Sequence, residues 1–162
     1  MPAESAPLAA LGKVNRVVVE ATQQRVPQRT ATLDMDATVL ECTKRAAHRT
    51  YDGRRGYQPV LVVWAEADLI LTKEFRDSNV PAGSGNLRVV KDAMAALPEG
   101  IEPIYVRGDS ALYEHEVMDG LAAENVGFAI SADMNTELRA AIEALPEQAW
   151  QVETQEADAL RQ

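Results

Sequence analysis

The sequence predicts a mixed α/β domain whose sheet opens with three antiparallel strands and continues with strands that alternate with helices. Three observations carry that prediction. Short β-rich runs crowd together before residue 76, too close for helical crossovers between them. After residue 85, helix-like and strand-like runs alternate. The 162 residues, 46% of them hydrophobic, suffice for one domain with a core and fall short of two ordinary ones.

The elements follow in order. Residues 1–12 are small and Pro/Ala-rich and are expected to be disordered. Residues 14–24 read as a helix, with Val14, Val17, Val18 and Ala21 as its apolar stripe, and Pro27 ends it. TATLDMDAT (30–38) reads as the first strand. Alternation sends Asp34 and Asp36 to one side and Leu33, Met35 and Ala37 to the other. Two carboxylates about 7 Å apart on one strand face are costly unless a proton, a cation or a basic partner neutralises them. The plainer alternative is a solvated acidic edge.

Residues 43–56 form a basic connection to a second strand, 57–65, and residues 66–68 turn tightly into a third, 69–75, as an antiparallel hairpin. RDSNVPAGSG (76–85) is a loop, and its Gly83-x-Gly85 is a flexible turn rather than a nucleotide-binding motif. Asn86 is placed to cap a helix through Leu87, Val90, Met94 and Leu97, stopped by Pro98 and Gly100. A fourth strand, 101–107, ends at Gly108-Asp109, and a helix starts at Ser110. A fifth strand, 126–131, precedes a last helix, 135–145, whose buried face is expected to be Ala140, Ala141, Ala144 and Leu145. The predicted organisation is a disordered N-terminus (1–12), a core (13–147) and a polar, acidic tail (148–162).

Charge and cysteine usage narrow the function. A net charge of −9 argues against unassisted, charge-driven binding to nucleic acid or anionic membrane. The charge is uneven, however. Lys44, Arg45, Arg49, Arg54 and Arg55 lie between residues 43 and 58 against the single acid Asp52, interleaved with His48, Tyr51 and Tyr57. That stretch is either a solvated loop or a phosphate-contacting patch beside the acidic strand. The single cysteine, Cys42, offers neither an internal disulfide nor a zinc-ligand spacing, so a reducing, cytoplasmic compartment is expected. Neither a signal peptide nor a membrane span is expected.

The order β-β-β-α-β-α-β-α after one helix is the ribonuclease-H-like arrangement. In it the first and fourth strands are neighbours, so Asp36 and Asp109 would meet. Two carboxylates from adjacent strands can hold one or two Mg²⁺ or Mn²⁺ ions, hard cations that prefer oxygen ligands. Such ions suit phosphodiester displacement.

Five blocks carry a resemblance: TATLDMDATVLE, TYDGRRGYQPVLV, EFRDSNVPAGSGN, YVRGDSALY and GFAISADM. In this order they resemble the catalytic core of DDE-type bacterial insertion-sequence transposases, over roughly residues 12–150. The resemblance implies a ribonuclease-H-like fold that cuts and joins DNA ends with divalent metal, acting as a homodimer or multimer on transposon ends. Asp36 of the D-A-T triplet matches the first catalytic acid and Asp109 of R-G-D-S the second. The departure is at the end: the chain stops soon after Trp150, before the region that carries the family's catalytic Glu. A truncated fragment, lacking its third acid and full activity, is therefore expected. Glu143, 34 residues after Asp109 and on the last helix with Glu137, is the third-acid candidate within the chain, against a plain solvent-facing role.

Two other readings compete. Asp34-Met-Asp36-Ala-Thr38 also fits the D-x-D-x-T motif of haloacid-dehalogenase-like phosphatases, with Asp34 as nucleophile and Asp36 as general acid/base. Against it, Tyr113 stands where that family wants a second acid four residues after Asp109, and an early hairpin suits its parallel sheet poorly. The third reading is a non-catalytic transposase remnant.

Overall fold

The period-two pattern around Leu33 is strong enough to fix the centre of the sheet, and the remaining elements assemble around it. A computed structural model describes residues 6–50 and 53–150. In chain order the elements are α1 (Ala6–Arg25), β1 (Ala31–Ala37), β2 (Leu40–Glu41), β3 (His48–Arg49), β4 (Arg55–Tyr57), β5 (Val60–Trp64) and β6 (Leu69–Glu74). There follow α2 (Asn86–Ala95), β7 (Ile104–Gly108), α3 (His115–Ala123), β8 (Gly127–Ile130) and α4 (Thr136–Glu143). The chain divides into two compact units, one ending at Ala132 and one beginning at Asp133.

In the first unit the main sheet has the order β6-β5-β1-β7-β8. β5 runs antiparallel to β1 and to β6, whereas β7 is parallel to both β1 and β8. This is the ribonuclease-H-like arrangement that the sequence predicts, with the first strand beside the strand that ends at Gly108-Asp109. The hairpin is antiparallel because its connection is a single 3-10 turn, Ala65–Ala67, closed by Asp68 in the left-handed region (φ 53°). No crossover helix fits in so short a link.

One face of β1 is dry: Ala31, Leu33 and Met35 are buried, while Asp36 is exposed. Leu33 pairs with Trp64 on one side and Val106 on the other, and all three have 0% exposure. The Trp64 indole donates to the Thr30 carbonyl at 3.1 Å, so this large ring is buried without an unmet polar group. α2 adds Val89, Val90 and Ala93 to the same core, and α3 adds Val117 and Leu121.

The structure differs from expectation at several elements. Residues 6–12, expected to be disordered, begin α1; residues 1–5 and 151–162 lie outside the described residues. The stripe Val14, Val17, Val18 and Ala21 is exposed, and Val19 is the α1 residue buried in the core. The inward face holds Val19 among half-buried Asn15, Thr22 and Gln23, so it is mostly polar and apolar periodicity does not mark it. The expected second strand is split by Gln58-Pro59 into β4 and β5. The basic connection is itself structured, as a small antiparallel sheet of order β2-β4-β3. Strands of two or three residues are too short to show a period.

Asn86 is the first residue of α2, not its cap; Gly85, at φ 70°, stands before it. Glycine, with no Cβ, takes that conformation at little cost. Ser110–Leu112 form a 3-10 turn, and the true helix, α3, starts at His115.

In the second unit, Asn135 caps α4 by accepting from the Leu138 N–H at 2.7 Å. Ala140, Ala141, Ala144 and Leu145, expected as its buried face, are exposed; Leu138 and Ile142 are half-buried. An alanine methyl gains little from burial, so the larger side chains at i and i+4 take that face. Trp150 is 54% exposed. Among the described residues no helix is long and apolar enough to cross a membrane.

These differences are measurable. Leu33→Ala should destabilise the fold by about 2–5 kcal/mol through the cavity it leaves. Val17→Ala, on the outward row of α1, should change stability by less than about 0.5 kcal/mol. Urea unfolding of both variants checks the pair; a large loss for Val17→Ala would mean that the expected stripe is the buried one.

Candidate functional site

The parallel pairing of β1 with β7 sets the site. Its last register pair is Met35 with Gly108, so Asp36 and Asp109 are the next residue on each strand. Both carboxylates are exposed and line one cleft, together with Ala82, Asn86 and Ala111. Gly108 permits the approach: a Cβ there would lie 3.0 Å from the Leu112 side chain and 3.3 Å from the Met35 carbonyl oxygen. Asp109 caps the Ser110–Leu112 turn, and its Oδ1 accepts from the Ala111 N–H at 2.9 Å.

Asp34, on the same strand face as Asp36, is engaged otherwise. Arg107, its register partner on β7, donates from Nε and Nη2 to Asp34 Oδ1 and Oδ2, both at 2.6 Å. The hydrogen bonds and charge of Asp34 raise the Arg107 pKa further above its usual range. The pair is substantially exposed, so its value is in geometry more than in stability. Arg107 is visible in the sequence as the residue two before Asp109, yet nothing there names its partner. Nearby, burial pushes the Glu66 carboxyl up, but donation from the Thr32 hydroxyl (2.6 Å) and N–H (2.8 Å) outweighs it and holds the group below 4.5.

Two residues at or behind the cleft wall give no sequence signal as site residues. Arg76 is 4% exposed and Asn86 1% exposed. Arg76 Nη1 donates to Asn86 Oδ1 at 3.1 Å and to the Ala82 carbonyl at 3.3 Å. Asn86 Nδ2 donates to the Ala111 carbonyl at 2.8 Å. An arginine in a polar loop reads as a surface residue, and an asparagine at a helix start reads as a cap.

The five basic residues sit on or beside the small sheet, and all five are exposed. Arg49 on β3 stands directly opposite Arg55 on β4. Like charges in that position repel. Arg54 pairs with Glu41 of β2, an acid just outside the basic stretch, and Arg49 Nη1 donates to the Gly53 carbonyl at 3.1 Å. Tyr51 and Asp52 lie outside the described residues. The β1–β5 ladder runs on into β2–β4 through the Thr38 N–H and the Pro59 carbonyl, 3.1 Å apart. The small sheet therefore grows from the end of β1 that carries Asp36.

Glu143 is the last residue of α4, exposed and in the second unit, as is Glu137. Among the described residues no group of three His, Cys, Asp or Glu side chains could hold a metal ion. Asp36 and Asp109 alone offer hard oxygen donors from two strands, and that donor set fits a Mg²⁺ or Mn²⁺ ion that keeps several waters.

Asp36 and Asp109 thus stand at the ends of two adjacent parallel strands of a ribonuclease-H-like sheet. The profile of the family described as "Transposase DDE domain group 1" matches residues 3–161. The chain belongs to this family of transposase DDE domains. No curated protein sequence matches it. Among solved structures it is similar to the catalytic domain of Mos1 mariner transposase, with 10% identity and a TM-score of 0.49, over 88% of this chain and 74% of that one. It is also similar to the Mos1 mariner paired-end complex with Mn (11%, TM-score 0.47, 82% of this chain and 47% of that one). A third likeness is to piggyBac transposase in a synaptic complex with hairpin DNA (10%, TM-score 0.49, 74% and 27%). The chain thus spans less than half of the latter two proteins.

The Thr32–Glu66 contact predicts an acid dependence. A carboxylate whose folded pKa is depressed contributes stability that is present above about 4.5 and is lost as pH falls through the folded value. Glu66→Gln should therefore lower Tm at neutral pH and flatten its fall below about 4.5, the two curves converging in acid. An unchanged acid limb would show that this carboxylate does not sense folding.

Proposed function

We propose that the chain works as a catalytic core for DNA transposition, cleaving and joining DNA strands at a site built on Asp36 and Asp109. The observation that carries this reading is that Asp36 and Asp109, each the residue after the last β1–β7 register pair, line one cleft. Family membership supports it independently. In this role Asp36 and Asp109 would hold Mg²⁺ or Mn²⁺ beside the scissile phosphate. When bound there, such an ion would supply the positive charge that phosphodiester chemistry needs. Asp34 fixes Arg107 beside them. Lys44, Arg45, Arg49, Arg54 and Arg55 bind the DNA backbone. The opposition of Arg49 and Arg55 supports that assignment, because a bound phosphate relieves a repulsion the free protein must bear. Action on paired transposon ends calls for a homodimer or larger multimer.

The phosphatase reading makes Asp34 a nucleophile, yet both of its oxygens accept from Arg107. A carboxylate so tied is poorly placed to attack. A divalent-ion titration separates the two readings. Asp36→Asn should lose most of the Mn²⁺-induced rise in Tm, whereas Asp34→Asn should keep it. The reverse pattern would overturn the assignment of the first acid.

Two further outcomes are expected. Replacing Arg54 and Arg55 with Ala should weaken DNA binding and flatten its salt dependence, by about 0.9 in slope for each phosphate left unneutralised. An unchanged slope would remove the basic sheet from the DNA interface. With two strand acids the isolated chain should cleave DNA only weakly. Robust Mg²⁺-dependent strand transfer would instead make Glu143, or Glu137, the third acid, and its Ala variant should then be inactive while folded.

A further inference from the structure

We infer that Asn86 is a positioning residue for Asp109, acting through the Ala111 backbone, and that buried Arg76 holds Asn86 in place; the inference rests on the reading of Asp109 as a metal-holding acid. Four residues from three separate parts of the chain form one hydrogen-bonded series. Arg76 Nη1 donates to Asn86 Oδ1, Asn86 Nδ2 donates to the Ala111 carbonyl, and the Ala111 N–H donates to Asp109 Oδ1. Both backbone polar groups of Ala111 are therefore engaged, one by the asparagine and one by the acid. Turning the Asp109 carboxylate breaks the Ala111 N–H bond, and moving Ala111 strips the buried Asn86 amide of its acceptor. Such a loss is expensive at a residue 1% exposed.

Stability alone is a weak reason for this arrangement. Arg76 is buried just beyond the end of β6, with its Nε on Glu74 at 3.2 Å, and its Nη2 is buried with no partner among the described residues. A buried guanidinium with an unmet nitrogen costs more than an apolar side chain of similar volume. What the arrangement supplies is direction: it fixes an otherwise exposed carboxylate on a short turn. Residues that orient metal-holding groups from behind typically govern affinity by about 10–100-fold.

The test uses the full chain and Mn²⁺ as the probe, with two readouts: Mn²⁺ affinity from the free-ion EPR signal, and amide hydrogen exchange without metal. Asn86→Ala should bind Mn²⁺ about tenfold or more weakly. Its exchange should speed up at Ala111 and the Ser110–Leu112 turn, and not across β1 and β5. A merely structural role would instead speed exchange throughout the sheet, and that result would overturn the inference. So would wild-type affinity combined with wild-type exchange at Ala111. Arg76→Lys keeps the charge but not the fork, and should show a smaller change in the same direction at both readouts. If Asn86→Ala does not fold, Asn86→Ser, too short to span Arg76 and Ala111, is read in the same way. Asp109→Asn serves as the reference: if it binds Mn²⁺ like the wild type, the metal reading fails. The exchange at Ala111 then still decides whether Asn86 holds the turn.

Discussion

Leu33 and Val106 face one another across the β1–β7 pair with no exposure to solvent, and nearly everything at the site depends on that contact. A one-residue slip in this pairing would turn Leu33 toward water and Asp34 into the core. Burial therefore fixes the register tightly. The same register seats Arg107 opposite Asp34 and brings Asp36 level with Asp109. Dry side chains thus set a polar site further along the same two strands. The acids occupy the first positions beyond the β1–β7 ladder, where solvent can reach them and Asp36 is still paired with Leu61 of β5.

A second constraint is electrostatic. The chain carries a net charge of −9 yet gathers five basic side chains on or beside the small sheet beyond β1. The edge strands β2 and β3, of two residues each and bearing Glu41 and Arg49, resist pairing with other chains. Their shortness thus has a use beyond linking β1 to β5. The tie to the rest of the unit is specific: the Ser78 hydroxyl donates to the His48 carbonyl at 2.8 Å, and the Gln58 N–H donates to the Arg76 carbonyl at 2.9 Å. The loop that leads into α2 therefore touches both the basic sheet and the wall of the acid cleft.

The parts of this fold that could be read from sequence are those with a long, one-sided period. β1 and β5 are legible because one face of each is buried, and β6 because the link at Glu66 is too short for anything but a hairpin. That Asp36 and Asp109 fall near one another is expected from analogy with the ribonuclease-H-like strand order, not from either residue itself. α1 was legible as a helix but not in its orientation. Its contact with the sheet runs through Val19 and through the Asn15 side chain, which donates to the Ile70 carbonyl at 2.7 Å, while the more regular valine row faces outward. The β2-β4-β3 sheet was hidden because no periodicity survives in pieces so short. Arg76 and Asn86 were hidden for another reason. Their burial depends on partners 10 and 25 residues away along the chain, and residue type argued for the surface.

The two tryptophans of the sequence fall on opposite sides of the Ala132/Asp133 boundary and in opposite surroundings. Trp64 is sealed in the core with its indole on Thr30, whereas Trp150 is more than half exposed. The first should emit at short wavelength and resist a soluble quencher, and the second should emit further to the red and be quenched readily. Loosening of the first unit can thus be followed optically through Trp64, against a Trp150 signal that changes little.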